Sequence, residues 1–358
     1  MAHNNTPYRP HPKWHDYTER GIYMVTLVVQ NRDHILGELN MDAHNPNVIL
    51  TETGKAVLEE WYKTPAIQAK HNRKVKILAA VAMPDHFHGV IFIEEDMDIK
   101  LGTIIQGFKT ACTSRWRKIN GIVGSLDTEK TIRHISINRR LDYYSTLPRI
   151  NRPLFDADYD DSILYKRGQL QNMINYVRDN PRRAIYRKLH PEYFRNIQRI
   201  EISGEIYTAF GNLFLLKAPH KIAVKCHRKH PSTKQPYEGT EDFQKYRTEI
   251  LNAAADGSVI VTPAISKGEQ IIKNDCFENG FPMIHIQKEP FGQYNKPEKR
   301  RFDICLNGKL LIIIPQTLDS MGTVNGVDAA SKYSNFHNMN QLAAEIAGFY
   351  GYMAVKRV

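Results

Sequence analysis

The sequence predicts an α+β fold in two parts. An antiparallel sheet with helices on one face comes first, and a parallel α/β sheet covered on both faces follows. Three observations carry this. The first half orders its elements as strand, helix, strand, strand, helix and a further helix. Composition shifts near residue 200. From Lys221 onward, short continuous apolar strands alternate with helical stretches, the pattern of a sheet buried on both sides. The two domains read as 1–200 and 201–358, and a 358-residue chain can hold two cores.

Residues 1–20 are polar and irregular, with Pro7, Pro10 and Pro12. Residues 21–30 (GIYMVTLVVQ) are apolar and β-branched, a first strand. Residues 51–68 open on capping residues and carry Val57, Leu58 and Trp61 at helical spacing. Strands follow at 75–83 and 86–93, parted by Pro84-Asp85. Residues 101–119 form an amphipathic helix. Its apolar stripe is Ile104, Ile105, Phe108 and Cys112, and its basic side Lys109, Arg115, Arg117 and Lys118. Residues 120–150 show no period and read as an insertion or long loop. Residues 168–179 form a helix that turns Leu170, Ile174 and Val177 inward. Beyond it, strands are expected at 221–226, 258–263, 282–287 and 310–315, and helices at 241–255, 264–279 and 338–348.

Composition excludes some classes. An apolar fraction of 42% and a charged fraction of 24% are those of a globular chain. No apolar run is long enough to span a bilayer, and the N-terminus lacks the core of a signal peptide. The four cysteines form no Cys-x-x-Cys pair, so reduced thiols in the cytoplasm are expected rather than disulfides or a zinc knuckle. The net charge of +11 fits a polyanionic partner, with nucleic acid the first candidate.

The chemistry centres on Met83-Pro84-Asp85-His86-Phe87-His88-Gly89. In a strand, His86 and His88 share a face while Phe87 enters the core. Two imidazoles on one rigid face can hold a divalent ion. Tyr176 and Asn180 lie four apart, on one helical face. A carboxamide oxygen suits Mg²⁺ or Mn²⁺ as a third ligand, and the softer imidazoles favour Mn²⁺. A phenol ionises near pH ~10, so Tyr176 as a nucleophile needs a cation, a base or in-line alignment. Pro181 disfavours helical geometry at Asn180, which makes Asn180 the last helical position expected.

These residues resemble a known family. MPDHFHGVI with Tyr176-Val177-Arg178-Asp179-Asn180-Pro181 is similar to the single-tyrosine HUH transposases of the IS200 type, and more closely to the REP-associated tyrosine transposases. The resemblance covers about residues 15–190 and includes Gln106-Gly107-Phe108-Lys109 and Leu154-Phe155-Asp156. It implies a ferredoxin-like sheet, a divalent metal and single-stranded DNA, with hairpin-forming repeats as the substrate class. It implies that Tyr176 attacks a DNA phosphate to leave a 5′-phosphotyrosine link and a free 3′-hydroxyl. By motif, His86 and His88 are metal ligands and Asn180 the third. One tyrosine gives one covalent link, so moving a segment needs two protomers, as in a homodimer, or successive reactions.

Electrostatics agree with a DNA partner. Arg178, Arg182, Arg183, Arg187, Lys188, Arg195 and Arg199 cluster at and beyond the tyrosine helix, with Tyr186, Tyr193 and Phe194 among them. Cations along a backbone with rings to stack bases suit single-stranded DNA. Lys109, Arg115, Arg178, Arg182, Arg183 and Arg187 are the expected contacts. His134, His227 and His230 read as ordinary surface histidines.

The second half resembles a DprA-like, or SLOG, Rossmann-like domain through Gly211-Asn212-Leu213, Lys221-Ile222-Ala223-Val224 and 261–269 (VTPAISKGE). The turn there would aim backbone N–H groups at an anion, with Ser266, Lys267 and Gly268 as phosphate contacts from DNA or a nucleotide. No Gly-x-Gly-x-x-Gly string is present, which argues against a dinucleotide cofactor. His227 stands where that family carries a small residue. The competing reading is a non-catalytic single-stranded DNA- or nucleotide-binding protein that acts through this second domain.

Overall fold

The computed structural model describes residues 11–122, 148–287, 300–315 and 329–348, apart from 13, 43 and 167. Pro7, Pro10, His134 and most of the 120–150 segment lie outside the described residues. The chain divides into two compact units, Met1–Ile185 and Tyr186–Val358.

In the first unit, the strands β1 (Gly21–Val28), β4 (Val75–Met83), β5 (His86–Ile93) and β6 (Asp160–Ile163) form one sheet. Their order is β4-β5-β1-β6 and every pairing is antiparallel. A small pair, β2 (Gly37–Leu39) and β3 (Val48–Leu50), stands beside it. Alternation decides the faces. Tyr23, Val25 and Leu27 of β1 are buried with Phe87, Ile91 and Ile93 of β5. Against them pack Trp61 of α1 (Glu52–Ala69) and Ile104, Ile105 and Phe108 of α2 (Leu101–Ile119). Thr51 caps α1, its hydroxyl accepting from the Gly54 N–H at 3.1 Å.

The opposite face is not left bare, which departs from a sheet with helices on one side only. Val90 and Ala79 pack there against Val177 of α3 (Gln169–Leu189). This helix runs through Pro181, so Asn180 is interior and not the final helical residue. Proline removes one helical bond, a penalty of about 3 kcal/mol. Two features offset it. Val177, Pro181 and Ile185 recur every four residues and are all buried. Asp179 also ties the turns on either side of the proline, accepting from Arg182 and Arg183.

In the second unit six strands form one mixed sheet. The strands β9 (Lys221–Ala223), β10 (Val259–Thr262), β11 (Met283–Ile286) and β12 (Leu310–Pro315) are parallel neighbours. One face carries α4 (Glu241–Ala255), α5 (Lys267–Asn279) and α6 (Arg300–Leu306), through Phe243, Ile250, Ile272, Cys276 and Ile304. The other carries α7 (Ala329–Gly348), through Met339, Leu342 and Ile346. An antiparallel hairpin, β7 (Arg195–Ile202) and β8 (Glu205–Gly211), extends the sheet beyond β12. It turns at Ser203 and Gly204, both at positive φ (52° and 85°). Because β7 joins this sheet, the unit begins before residue 200. Among the described residues no helix is long and apolar enough to cross a membrane.

Candidate active site

The β4–β5 hairpin turns tightly at Pro84-Asp85, with Met83 opposite His86. From there β5 sends His86 and His88 to the face that also carries Val90, away from Phe87. The two rings lie 4.8 Å apart, 79° from parallel. His88 is buried at 6% exposure, whereas a fifth of the His86 side chain is exposed.

Each ring is oriented through Nδ1. Thr26 faces His88 in register across β1, and its Oγ1 lies 2.8 Å from His88 Nδ1. Asp85 Oδ1 lies 2.6 Å from His86 Nδ1. A carboxylate only accepts, so His86 donates from Nδ1. Burial alone would raise the Asp85 carboxyl, but the hydrogen bonds and charges of His86 and Arg32 outweigh it and hold the group well below the usual carboxylate range. Bonds of this kind at Nδ1 fix the orientation of imidazoles that ligate through Nε2.

The α3 helix supplies the phenol. Tyr176 is 39% exposed, and its ring centroid lies 5.7 Å from that of His88 at 65°. The Arg183 guanidinium sits over the same phenol, 5.5 Å from its centroid. Asn180 follows one turn later on the same side of the helix, half-buried. Among the described residues no group of three His, Cys, Asp or Glu side chains is placed to hold a metal ion. Two imidazoles with a carboxamide are a different donor set. This mixed nitrogen and oxygen set could hold a divalent first-row ion, the imidazoles suiting its softer members and the carboxamide oxygen suiting Mn²⁺.

The expected DNA contacts are not all where charge counting put them. Lys109 is 7% exposed and donates to the Ala157 carbonyl at 2.5 Å, so it belongs to the core and not to a basic face. Burial pushes its ammonium down to about 8. Arg115 is committed to Glu59 and Glu60 of α1, each at 2.9 Å. Arg182 and Arg183 hold Asp179 at 2.5 and 2.7 Å. Arg187 stacks on Phe302, 4.8 Å from its centroid. Arg178 is exposed on α3.

At the expected anion site of the second unit, the chain places a carboxylate of its own. Ser266 caps α5 in a capping box with Glu269, which is 2% exposed. The Glu269 carboxylate accepts from the N–H groups of Ile265 (2.7 Å), Cys226 (3.1 Å) and Ser266 (3.2 Å). The carboxylate thus occupies three N–H donors at the mouth of α5, those of Ile265, Ser266 and Cys226. A Cβ on Gly268 would stand 2.9 Å from Phe243, so this glycine serves close packing. Lys267 is exposed. The parallel strands also run in sequential order, without the reversal that opens a ligand crevice among the described strands. His227 is exposed, and His230 is paired with Asp242 at 2.9 Å.

Sequence reasoning missed Thr26, Arg32 and the role of Asp85. The signal for Thr26 was a polar residue on the outward-facing phase of β1, and for Asp85 its place beside His86. No family model matches the chain. An uncharacterized protein of Haemophilus influenzae is 24% identical over 172 residues, spanning 47% of this chain and 84% of that protein. Among solved structures, the chain is similar to a REP-associated tyrosine transposase bound to a REP hairpin. That similarity covers 48% of this chain and 73% of the other, at 14% identity and a TM-score of 0.29. At that score it adds no weight to the geometry of His86, His88 and Tyr176.

Proposed function

We propose that the chain cleaves and rejoins single-stranded DNA through a 5′-phosphotyrosine, as a transposase or a host enzyme derived from one, with hairpin-forming repeats as substrate. The observation that carries the reading is the approach of His88 and Tyr176, at 5.7 Å between centroids. A ferredoxin-like arrangement of the first unit, with strand order β4-β5-β1-β6 across two helices, is consistent with it. In this reading Tyr176 Oη bonds to phosphorus as the bond to the 3′-oxygen breaks. The phenolic proton leaves to solvent, and the 3′-oxygen takes up a proton to become a hydroxyl. Religation is the reverse, and no oxidant or reductant is needed. His86, His88 and Asn180 would hold one divalent cation, which would polarise the scissile phosphate. Arg183, beside the phenol, holds a positive charge where the phosphate must approach.

The test is a covalent-adduct assay on a library of hairpin oligonucleotides with Mn²⁺. The expected result is an adduct with the natural chain and none with Tyr176→Phe. No adduct across the library, or an adduct retained by Tyr176→Phe, overturns the reading.

A further inference from the structure

We propose that Arg32 and Asp85 are positioning residues that set how His86 presents its ring to a divalent cation, an inference that rests on the metal-dependent reading above. Asp85 spreads its carboxylate over two partners. Oδ1 accepts from His86 Nδ1 at 2.6 Å, and Oδ2 accepts from Arg32 Nη1 at 3.0 Å. The backbone locks this triad. The Val29 N–H donates to the Asp85 carbonyl at 2.9 Å and the Leu36 N–H to the Pro84 carbonyl at 3.1 Å. The histidine hairpin is therefore tied to the segment that follows β1.

That segment is strained. Asn31 and Arg32 lie at φ of 60° and 54°, two left-handed residues in succession. Asparagine tolerates this conformation, but arginine does not, because its Cβ crowds a carbonyl oxygen. Glycine is the residue such a turn favours at the second position. The ion pair does not explain the strain through stability, since 52% of the Arg32 side chain is exposed and an exposed pair stabilises little. A strained residue held beside a candidate metal ligand points to the site instead.

The chemistry is that of an outer ligand shell. An anionic acceptor at Nδ1 keeps the proton on that nitrogen and leaves Nε2 as the ligating atom. The guanidinium aims the carboxylate and tempers its charge. His88 has a neutral hydroxyl, Thr26, in the same place. The two rings are thus oriented alike, one by a carboxylate and the other by a hydroxyl.

The test uses the full chain, Mn²⁺ alone as probe, and four proteins: the natural chain, Arg32→Gly, Arg32→Lys and Asp85→Asn. Mn²⁺ affinity is read by electron paramagnetic resonance, the His86 tautomer by ring ¹⁵N shifts, and stability by thermal melting. Asp85→Asn is expected to weaken Mn²⁺ about 10- to 100-fold and to lose the Nδ1–H preference of His86. Arg32→Gly is expected to melt no lower than the natural chain, because the turn relaxes, yet to bind Mn²⁺ several-fold more weakly. Arg32→Lys falls between them. Unchanged affinity in Arg32→Gly and Asp85→Asn overturns the inference alone. A lower melting point in Arg32→Gly that accounts for its lost affinity assigns a structural role and overturns it too. Absence of Mn²⁺ binding by the natural chain overturns the metal reading and this inference with it.

Discussion

Trp61 Cζ2 lies 2.5 Å from the point that a Cβ on Gly89 would occupy. The indole, fully buried and edge-on to Phe87 and Phe108, therefore packs against bare β5 backbone one residue after His88. Gly89→Ala must displace either the indole or the strand. The expected loss is about 1–3 kcal/mol, the usual range for overpacking. Urea unfolding measures it. Because the strand carries both imidazoles, Mn²⁺ affinity should fall with it, and an unchanged urea midpoint would contradict this packing.

Lys109 and Arg178 should separate cleanly in a salt titration of single-stranded DNA binding. Each phosphate contact adds roughly 0.7 to the slope of log affinity against log salt. Arg178→Ala should lower the slope by about that amount. Lys109→Met should leave the slope unchanged, because its ammonium is spent on the Ala157 carbonyl. A reduced slope in Lys109→Met would return it to the DNA surface.

The difference between these two cations shows what a sequence displays and what it hides. Period-two alternation placed His86 and His88 opposite Phe87, and four-residue spacing placed Asn180 beside Tyr176. Those are local rules and they need no partner. The fate of a charge is not local. Arg115 is neutralised by Glu59 and Glu60 from a different helix, and no spacing within α2 reveals that. Glu269 draws in the N–H of Cys226, which no motif around the α5 turn contains. Pro181 misled for the same reason, since a buried stripe and the Asp179 clamp outweighed its local preference. The signal for the β7–β8 hairpin was Ser203-Gly204, a turn pair between two stretches that mix β-branched or aromatic residues with polar ones.

His285 gives the second unit an acid sensitivity. It is buried on β11, with Nδ1 3.1 Å from the Thr262 carbonyl. Burial and then the charge of Lys273 push it down to about 3 from 6.5. Between those values the unfolded chain binds the proton and the folded chain does not, so acid favours unfolding. The stabilisation is complete above about pH 6.5 and is lost as the pH falls towards 3, at a limiting rate of about 1.4 kcal/mol per pH unit. His285→Gln keeps a donor for Thr262 and should flatten this dependence. Urea midpoints across pH 4 to 7, on the order of the window between the two values, measure it.

Glu269→Ala should destabilise the second unit by more than about 2 kcal/mol, because it orphans two buried N–H groups and a third that is half-buried. Sulfate or phosphate should raise the melting point of that variant and leave the natural chain unmoved. Equal responses to the anion would mean that the carboxylate does not fill the cradle.

A plug that is covalent behaves unlike a bound ion. Dialysis cannot strip it, high salt cannot outcompete it, and its local abundance does not fall on dilution. An anion that approaches the mouth of α5 must then compete with a carboxylate that the chain carries itself.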